Sequence, residues 1–183
     1  ALGDLKITTT LGDADDDGDY EALHAYGARS FSIRRAADAA LIYDSADDFE
    51  RITGQRYGDG FNADNTGNDG DDRSDNKGPE PEALATGVVE GRRYAFIGLE
   101  RMSGFMVYDL SDVDTPVFVA YINNRDLSVA PESGQAGDLG PESIVFIDAE
   151  DSPIDDQPLL AVGNEVSGST TLYRLRHAAA DPD

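Results

Sequence analysis

Two segments of the sequence, YAFIGLERMSGFMVYDL at Tyr94–Leu110 and LLAVGNEVSGSTTLYRL at Leu159–Leu175, repeat one pattern 65 residues apart. Each begins with an apolar run of strand length, passes through a polar turn and ends in a second alternating run, which is typical of a β-hairpin. The identical pairs are Gly98 and Gly163, Glu100 and Glu165, Tyr108 and Tyr173, and Leu110 and Leu175. The repeat predicts one structural unit that is used more than once.

A shorter repeat precedes each of these segments. Residues Asp71–Glu82, DDRSDNKGPEPE, contain Gly78-Pro79-Glu80, and the tripeptide returns as Gly140-Pro141-Glu142, 62 residues later. The difference between the offsets of 62 and 65 predicts a three-residue insertion in the second copy, within Asp148–Gln157.

A period of about 60 residues with some four short strands is typical of a β-propeller blade with long loops. Two similar hairpins in a sandwich are the alternative. We therefore expect residues 1–183 to form a single all-β unit of about three four-stranded blades, with repeats at roughly 11–77, 78–139 and 140–176. Because a propeller typically needs about four to eight blades, the expected partners are the remainder of a larger propeller or other copies of the chain.

The rest of the chain carries weaker signals. Leu5–Thr10, LKITTT, predicts a strand because it alternates and is rich in β-branched residues. Arg34–Ala40 fits either a helical turn or a turn between two strands, and Asp44–Thr53 is expected to cap that strand pair. Gln55–Lys77 is a long loop of Gly, Asn and Asp, a kind that is usually functional or disordered. The tail, residues 177–183, is expected to fray.

The charge balance restricts the possible partners. The chain has 37 acidic and 14 basic residues, a net charge of -23. This excludes nucleic acid, because phosphate binding needs a basic face, and disfavours an anionic membrane surface. A cation such as calcium fits. The chain holds 12 Arg but only two Lys, which suits high salt and a halophilic or marine source, with an ordinary acidic secreted protein as the alternative.

Several chemistries are excluded by composition. There is no cysteine for a disulfide or a thiolate metal site, and the two histidines are too few for a His-based zinc site. No Gly-x-Ser-x-Gly elbow and no phosphate loop is present. No run approaches the ~18 apolar residues of a membrane span, so we expect no membrane insertion.

An acidic loop near the N-terminus has the spacing of a calcium site. Its acids are Asp13, Asp15, Asp17, Asp19 and Glu21, at positions 1, 3, 5, 7 and 9, with Gly18 at position 6. His24 occupies position 12, where an EF-hand carries a bidentate Glu, and no amphipathic helix flanks the loop. The spacing predicts an EF-like calcium loop between strands, and a solvated acidic turn is the alternative.

Four glutamates recur with the repeat. Glu80 and Glu142 are expected to open equivalent innermost strands, and Glu100 and Glu165 to end equivalent second strands. In a propeller these four acids would gather near the axis, where neighbouring carboxylates raise one another's pKa or bind a cation. They are therefore candidate calcium ligands.

Basic residues stand beside these acids and suggest a catalytic hypothesis. Arg73, Lys77, Arg101 and Arg125 would hold a phosphate oxyanion next to a calcium ion bound by Glu80 or Glu142. The catalytic candidates are thus Glu80, Glu142, Arg73, Lys77 and Arg101. The alternative is structural, in which the glutamate after Gly-Pro caps backbone amides or pairs with Arg101.

A family resemblance rests on many motifs in order. These are LGDADDDGDYEAL, YGARSFSI, DDFERIT, DDRSDNKGPEPE, YAFIGLER, GFMVYDL, YINNRD, GDLGPES and GNEVSGSTTLY. From Leu11 to Tyr173 the chain resembles the choice-of-anchor I family, and it matches the C-terminal part of the family domain. One departure is Ser143 after Gly140-Pro141-Glu142, where the family often has Gly.

The resemblance implies a bacterial protein that is secreted, periplasmic or on the cell surface, and a metal-binding β-propeller. Family members are often labelled alkaline phosphatase or phytase-like. The expected function is a secreted or cell-surface calcium-binding β-propeller module. The alternative is a metal-dependent phosphoesterase that acts on a phosphorylated small molecule.

Overall fold

The structure is a computed structural model, and it describes residues 4–27, 29–154 and 156–176. The tail that is expected to fray lies outside these residues. Within them, no helix has the length and apolar character needed to cross a bilayer.

The described residues form nine strands and one α-helix. In chain order they are β1 (Ser32–Arg34), β2 (Leu41–Asp44), α1 (Asp48–Tyr57), β3 (Pro81–Val89), β4 (Arg92–Leu99), β5 (Phe105–Asp109), β6 (Val117–Ile122), β7 (Pro141–Ile147), β8 (Leu159–Asn164) and β9 (Ser169–Arg174). The strands make three antiparallel sheets: sheet 1 is β1-β2, sheet 2 is β3-β4-β5-β6 and sheet 3 is β7-β8-β9. The chain is therefore mostly β, as predicted.

Sheet 2 is covered on both faces, which explains the near-continuous apolar sequence of β4. On its front face Ala95, Ile97 and Leu99 pack with Phe49 of α1. On its back face Phe96 joins a second core with Ile144, Leu160 and Val162 of sheet 3. The Phe96 and Phe146 rings stack there with centroids 6.0 Å apart. Layers therefore stack in one direction: helix and sheet 1, then sheet 2, then sheet 3.

Strand register corrects the alignment of the two repeats. Pro81 pairs with Leu99, and Pro141 pairs with Asn164, 65 residues after Leu99. Pro81-Glu82 is thus equivalent to Pro141-Glu142, at an offset of 60. The prediction that Glu80 is the counterpart of Glu142 is wrong, because the position equivalent to Glu80 is Gly140.

Backbone geometry supports this register. The Glu100 amide donates to the Glu80 carbonyl at 2.8 Å, and the Glu165 amide donates to the Gly140 carbonyl at 2.7 Å. Both acceptor residues have positive φ, 50° at Glu80 and 70° at Gly140. The insertion does lie between β7 and β8. It has five residues instead of the predicted three, because Gly87 pairs with Tyr94 whereas Ile147 pairs with Leu159.

The prediction of four strands per unit is confirmed only for the middle repeat. Sheet 1 has two strands and sheet 3 has three within the described residues. Most of Leu5–Thr10 is irregular, with a single bridge between Ile7 and Ala25. Arg34–Ala40 forms the turn between two strands. The expected cap at Asp44–Thr53 runs into α1, and its Phe49 ring stacks on Phe31 directly before β1, with centroids 6.1 Å apart. The propeller and the division at 11–77, 78–139 and 140–176 stay predictions.

Gly87 lies where sheets 2 and 3 approach each other closely, so a side chain at this position would disturb their packing. A Cβ there would lie 2.3 Å from the Phe146 ring. We expect Gly87→Ala to lower the free energy of unfolding by about 1–3 kcal/mol, measured by urea denaturation. Gly67→Ala is the control, because its Cβ meets nothing within 4 Å. Equal stability of the two variants would contradict the packing.

Candidate functional site

β-bulges place two glutamates at the same end of sheets 2 and 3. Glu82 is the extra residue between Pro81 and Ala83 of β3, and Glu142 is its counterpart in β7. Bulges redirect a side chain out of the regular alternation, which is why they are common beside functional sites. Glu100 and Glu165 directly follow the paired strands β4 and β8. The two sheets therefore contribute equivalent carboxylate pairs, Glu82 with Glu100 and Glu142 with Glu165.

Glu80 is a buried carboxylate held by three cations. It accepts hydrogen bonds from Lys77 Nζ at 2.5 Å, from Arg73 at 3.3 Å and from Arg101 Nε. Burial raises the pKa of Glu80, but the hydrogen bonds from Lys77 and Arg101 outweigh it and hold the pKa below its usual value. The ion pairs stabilise a left-handed backbone that a residue with a Cβ adopts at a cost of about 1–2 kcal/mol.

Glu100 has the opposite electrostatic environment. Its side chain accepts from Asn65 Nδ2 at 3.0 Å and lies 3.0 Å from an Arg101 nitrogen. Burial raises the pKa of Glu100 to about 7; Arg101 opposes this, while Glu80 and Glu82 reinforce it. One carboxylate oxygen from each of Glu80, Glu82 and Glu100 lies within 4.8 Å of the others, close enough to share an ion.

The second glutamate pair lines an open cleft of about 380 Å³ at the end of sheet 3. A hydrogen bond with Glu165, and the charge of that residue, raise the pKa of Glu142. Ser143, Asn164 and Ser169 add hydroxyl and amide groups to the lining. The charge of Glu142 also contributes to the raised pKa of Glu100, so the two pairs influence each other.

The long loop before β3 is fixed onto this cluster. Arg125 donates to the carbonyls of Asp64, Gly67 and Arg101 at 2.5–2.7 Å. Arg101 in turn donates to Asp64 and Asn65 at 3.1 and 2.9 Å. The expected irregular loop is thus an ordered wall of the site.

Sequence reasoning found most of this cluster and missed part of it. Glu80, Glu100, Arg73, Lys77 and Arg101 come together as predicted, whereas Glu142 and Glu165 form a separate pair in the cleft. Glu82 and Asn65 were missed. Glu82 could have been found from the second Pro-Glu step, Pro81-Glu82, which matches Pro141-Glu142.

The cluster carries more negative than positive charge. Its carboxylates are Asp64, Glu80, Glu82 and Glu100, with Glu142 and Glu165 in the adjoining cleft, and its cations are Arg73, Lys77 and Arg101. The three cations that contact Glu80 also pair with Asp64, Glu82 or Glu100, so they are shared among more carboxylates than they can neutralise. An arrangement of this kind suits a cation better than an anion.

The N-terminal acidic loop folds around Asp13. Its carboxylate accepts from the amides of Asp16, Asp17 and Gly18 at 2.7, 3.2 and 3.0 Å. Oxygens of Asp13, Asp15 and Asp17 lie within 4.8 Å of one another. Asp19 and Glu21 complete the predicted set, and Glu21 accepts from the Ala14 amide at 2.7 Å.

A larger cleft, of about 590 Å³, separates the N-terminal segment from α1. Its one basic side chain among the described lining residues, Arg29, is engaged by Glu50 at 2.6 Å and by the Asn76 carbonyl at 3.0 Å. This cleft therefore offers no free cationic group to an anionic ligand.

Comparison with known proteins identifies relatives of the chain. The family model for the choice-of-anchor I domain matches residues 1–113. The chain is also similar to Gigasin-3a of Magallana gigas, with 31% identity over 186 residues, which covers 96% of this chain and 65% of that protein. The chain thus spans just under two thirds of the length of this relative. No solved structure matches the chain.

Removing the charge of Glu80 leaves three cations without their shared partner. We expect Glu80→Gln to lower the free energy of unfolding by about 2–3 kcal/mol at neutral pH, somewhat less than for a fully buried pair because Lys77 and Arg101 keep some solvent contact. Because the pKa of Glu80 is lowered in the folded state, the difference should shrink as the pH falls below the usual Glu value.

The control is Glu82→Gln, two residues away and half exposed, for which we expect a change under about 0.5 kcal/mol. Denaturant unfolding at several pH values measures both variants. A Glu80→Gln protein as stable as Glu82→Gln would contradict the ion-pair assignment.

Glu100 should make stability fall as the pH rises. Between about pH 5 and pH 7 the folded state retains a proton on Glu100 that the unfolded state releases, because the folded pKa is about 7, and above pH 7 the folded state holds a buried charge. In buffer with a chelator, we expect Glu100→Gln to exceed wild type in stability by at least about 1 kcal/mol at pH 8 and to match it at pH 5. Parallel pH profiles for the two proteins would contradict this.

Proposed function

Because the chain belongs to the choice-of-anchor I domain family, we propose that it is a module of a surface or extracellular protein and that it binds calcium. The observation that carries the calcium proposal is the convergence of Asp13, Asp15 and Asp17 oxygens within 4.8 Å on a loop whose amides are bonded to Asp13.

The donor set of this loop suits a hard cation. Carboxylate oxygens at alternate positions are the ligands that Ca²⁺ takes in proteins. Five acids lie within nine residues, and their mutual repulsion is relieved when a divalent ion is bound. Asp13, Asp15 and Asp17 would hold the ion, and Asp19 and Glu21 would complete the loop.

The affinity should be that of an extracellular site. Position 12 is His24 instead of a bidentate Glu, so the site lacks two of the usual ligand oxygens. Fewer ligands and an exposed loop favour a dissociation constant on the order of 10⁻⁴ M or weaker. Such a site would be filled outside cells and empty at cytosolic calcium levels.

The glutamate cluster is a second candidate calcium site. Glu82 and Glu100 are the ligands proposed there, because their carboxylate oxygens lie within 4.8 Å of one another. Glu142 and Glu165, in the adjoining cleft, are further candidate ligands. Glu80 fits this role less well, since its oxygens are already engaged by Lys77, Arg73 and Arg101. Its role is closer to the structural alternative, in which it pairs with Arg101.

The phosphoesterase alternative is less well supported by the geometry. Catalysis on a phosphate needs cationic groups that are free to meet the substrate. Arg73, Lys77 and Arg101 instead converge on Glu80, and Arg125 is bound by backbone carbonyls. A binding module requires no change in the contacts of these cations, whereas an enzyme would need them released from their present partners.

The larger propeller remains part of the proposal. The back face of sheet 2 receives sheet 3, and the equivalent face of sheet 3 exposes Val145 and Leu172. A further sheet, from the remainder of a propeller or from another copy, would pack on that face as sheet 3 packs on sheet 2.

Substitution in the acidic loop tests the calcium proposal. We expect Asp15→Asn to weaken calcium binding at least about tenfold, because it removes one ligand charge and no hydrogen bond described within the loop. The matched control is Asp16→Asn, which lies in the same loop at a non-ligand position and keeps a residue that tolerates its positive φ of 64°. Isothermal titration with calcium chloride measures the affinity.

Two results would count against the proposed function. The calcium site is contradicted if the two variants bind calcium equally, or if wild type shows no binding at millimolar calcium. The binding-module assignment is contradicted if wild type hydrolyses p-nitrophenyl phosphate with calcium present and a chelator abolishes the turnover.

A further inference from the structure

Residues 63–69, in the long loop before β3, are closed at their base but carry little main-chain bonding of their own. The Asp71 amide donates to the Phe61 carbonyl at 2.7 Å. The Arg73 amide donates to the Asn62 carbonyl at 2.9 Å, which closes the base a second time. Between these bonds, residues 63–69 make no well-formed main-chain to main-chain hydrogen bond with any described residue. A surface loop with its ends held together and no ladder of its own opens at low cost, as a unit.

Arg125, from the connection between β6 and β7, fixes this segment in place. Its guanidinium donates to the Asp64 and Gly67 carbonyls at 2.5 and 2.7 Å. It also donates to Asn68 Oδ1 at 3.1 Å, and to the Arg101 carbonyl at 2.6 Å. Arg125 is buried, and no carboxylate is among these partners. The rigid fork of one arginine thus binds the segment, through neutral oxygens, to the turn between β4 and β5.

The segment covers one carboxylate and one guanidinium of the glutamate cluster. Asn65 Nδ2 donates to Glu100 Oε1 at 3.0 Å, and Glu100 is only 5% exposed. Arg101 donates to Asp64 Oδ1 and Asn65 Oδ1 at 3.1 and 2.9 Å. The one apolar residue of the segment is Ala63, which is fully buried in the core between sheet 2 and α1. Little hydrophobic burial therefore opposes the opening of this segment.

We infer that residues 63–69 are a lid that opens while the sheets stay folded, and that Arg125 is the latch that holds it closed. Opening breaks the hydrogen bonds that Asp64 and Asn65 make beneath the lid. Glu100 and Arg101 then become accessible to a ligand. Loops that cover a site in this way open on the microsecond to millisecond timescale.

The chain contains no cysteine, so a single introduced thiol is a specific probe of opening. Ala63→Cys places the thiol on the lid, and Ala95→Cys places it on β4, in the same buried core. The rate of reaction with Ellman's reagent is measured in buffer and in low concentrations of urea. We expect the Ala63→Cys variant to react at least about tenfold faster than the Ala95→Cys variant. Its rate should hardly depend on urea, because opening the lid exposes little surface.

Substitution of the latch should accelerate opening of the lid alone. We expect Arg125→Gln to raise the reaction rate of the Ala63→Cys variant at least about tenfold and to leave that of the Ala95→Cys variant unchanged. Arg125→Lys should act in the same way, because an ammonium cannot reproduce the fork. Arg56→Gln is the matched control, since the Arg56 guanidinium donates to two main-chain carbonyls at the end of β6 and, among the described hydrogen bonds, to no atom of the lid.

Three results would overturn the inference. One is an equal rate and an equal urea dependence for the two thiols, which would mean that Ala63 is exposed only by global unfolding. Another is acceleration of both thiols by Arg125→Gln. The third is acceleration by Arg56→Gln as large as that by Arg125→Gln. All rates are measured with a chelator present, so the inference and the proposed function fail separately.

Discussion

The ion pairs of Glu80 hold together the end of the molecule where the acids collect. This residue lies at the start of β3 with a positive φ, buried beneath the long loop, where the equivalent residue of sheet 3 is Gly140. Contacts with Arg73 and Lys77 attach the loop to the sheet, and the contact with Arg101 attaches the β4–β5 turn. A buried carboxylate is tolerated because its charge is compensated by cations that approach from two different segments.

The acids next to these ion pairs have raised pKa values. Burial raises the pKa of Glu100 to about 7, the neighbouring carboxylates reinforce the rise, and Arg101, which is shared with Glu80, only partly opposes it. Glu142 and Glu165 hydrogen-bond to each other in the cleft, which raises the pKa of Glu142. A group of acids with raised pKa values thus adjoins the ion pairs, and a cation bound there, as proposed above, would compete with protonation at the same oxygens.

Sequence patterns predicted the repeat, the strands of sheets 2 and 3, the place of the insertion and most of the acidic cluster. These predictions succeed because a strand that buries one or both of its faces must carry apolar residues at alternate or successive positions. Helix α1 was missed, since its apolar positions are few, Gly54 interrupts it, and it forms because Phe49 packs against Phe31 and Tyr108. The equivalence of Glu80 and Gly140 was also missed. Identical letters in Gly-Pro-Glu favoured a register that the bulges at Glu82 and Glu142 exclude.

Sheets 2 and 3 repeat one structural unit, but their equivalent strands differ in chemistry. Sheet 2 has a neighbour on each face and a strand on the outer edge of β5, and it carries buried rings at Phe105 and Tyr108. In the equivalent strand of sheet 3, Thr170 replaces Phe105, while Tyr173 preserves Tyr108. The polar Thr170 and the exposed Leu172 lie on the open face of sheet 3, whereas Tyr173 packs edge-on against Phe105 of sheet 2, with ring centroids 5.0 Å apart. Sheets that pack front to back can be added without limit. The outer face of the last sheet must therefore either be covered by another element or carry polar side chains. Strand β9 combines the exposed Leu172 with the polar Ser169, Thr170 and Thr171, so it carries features of both solutions.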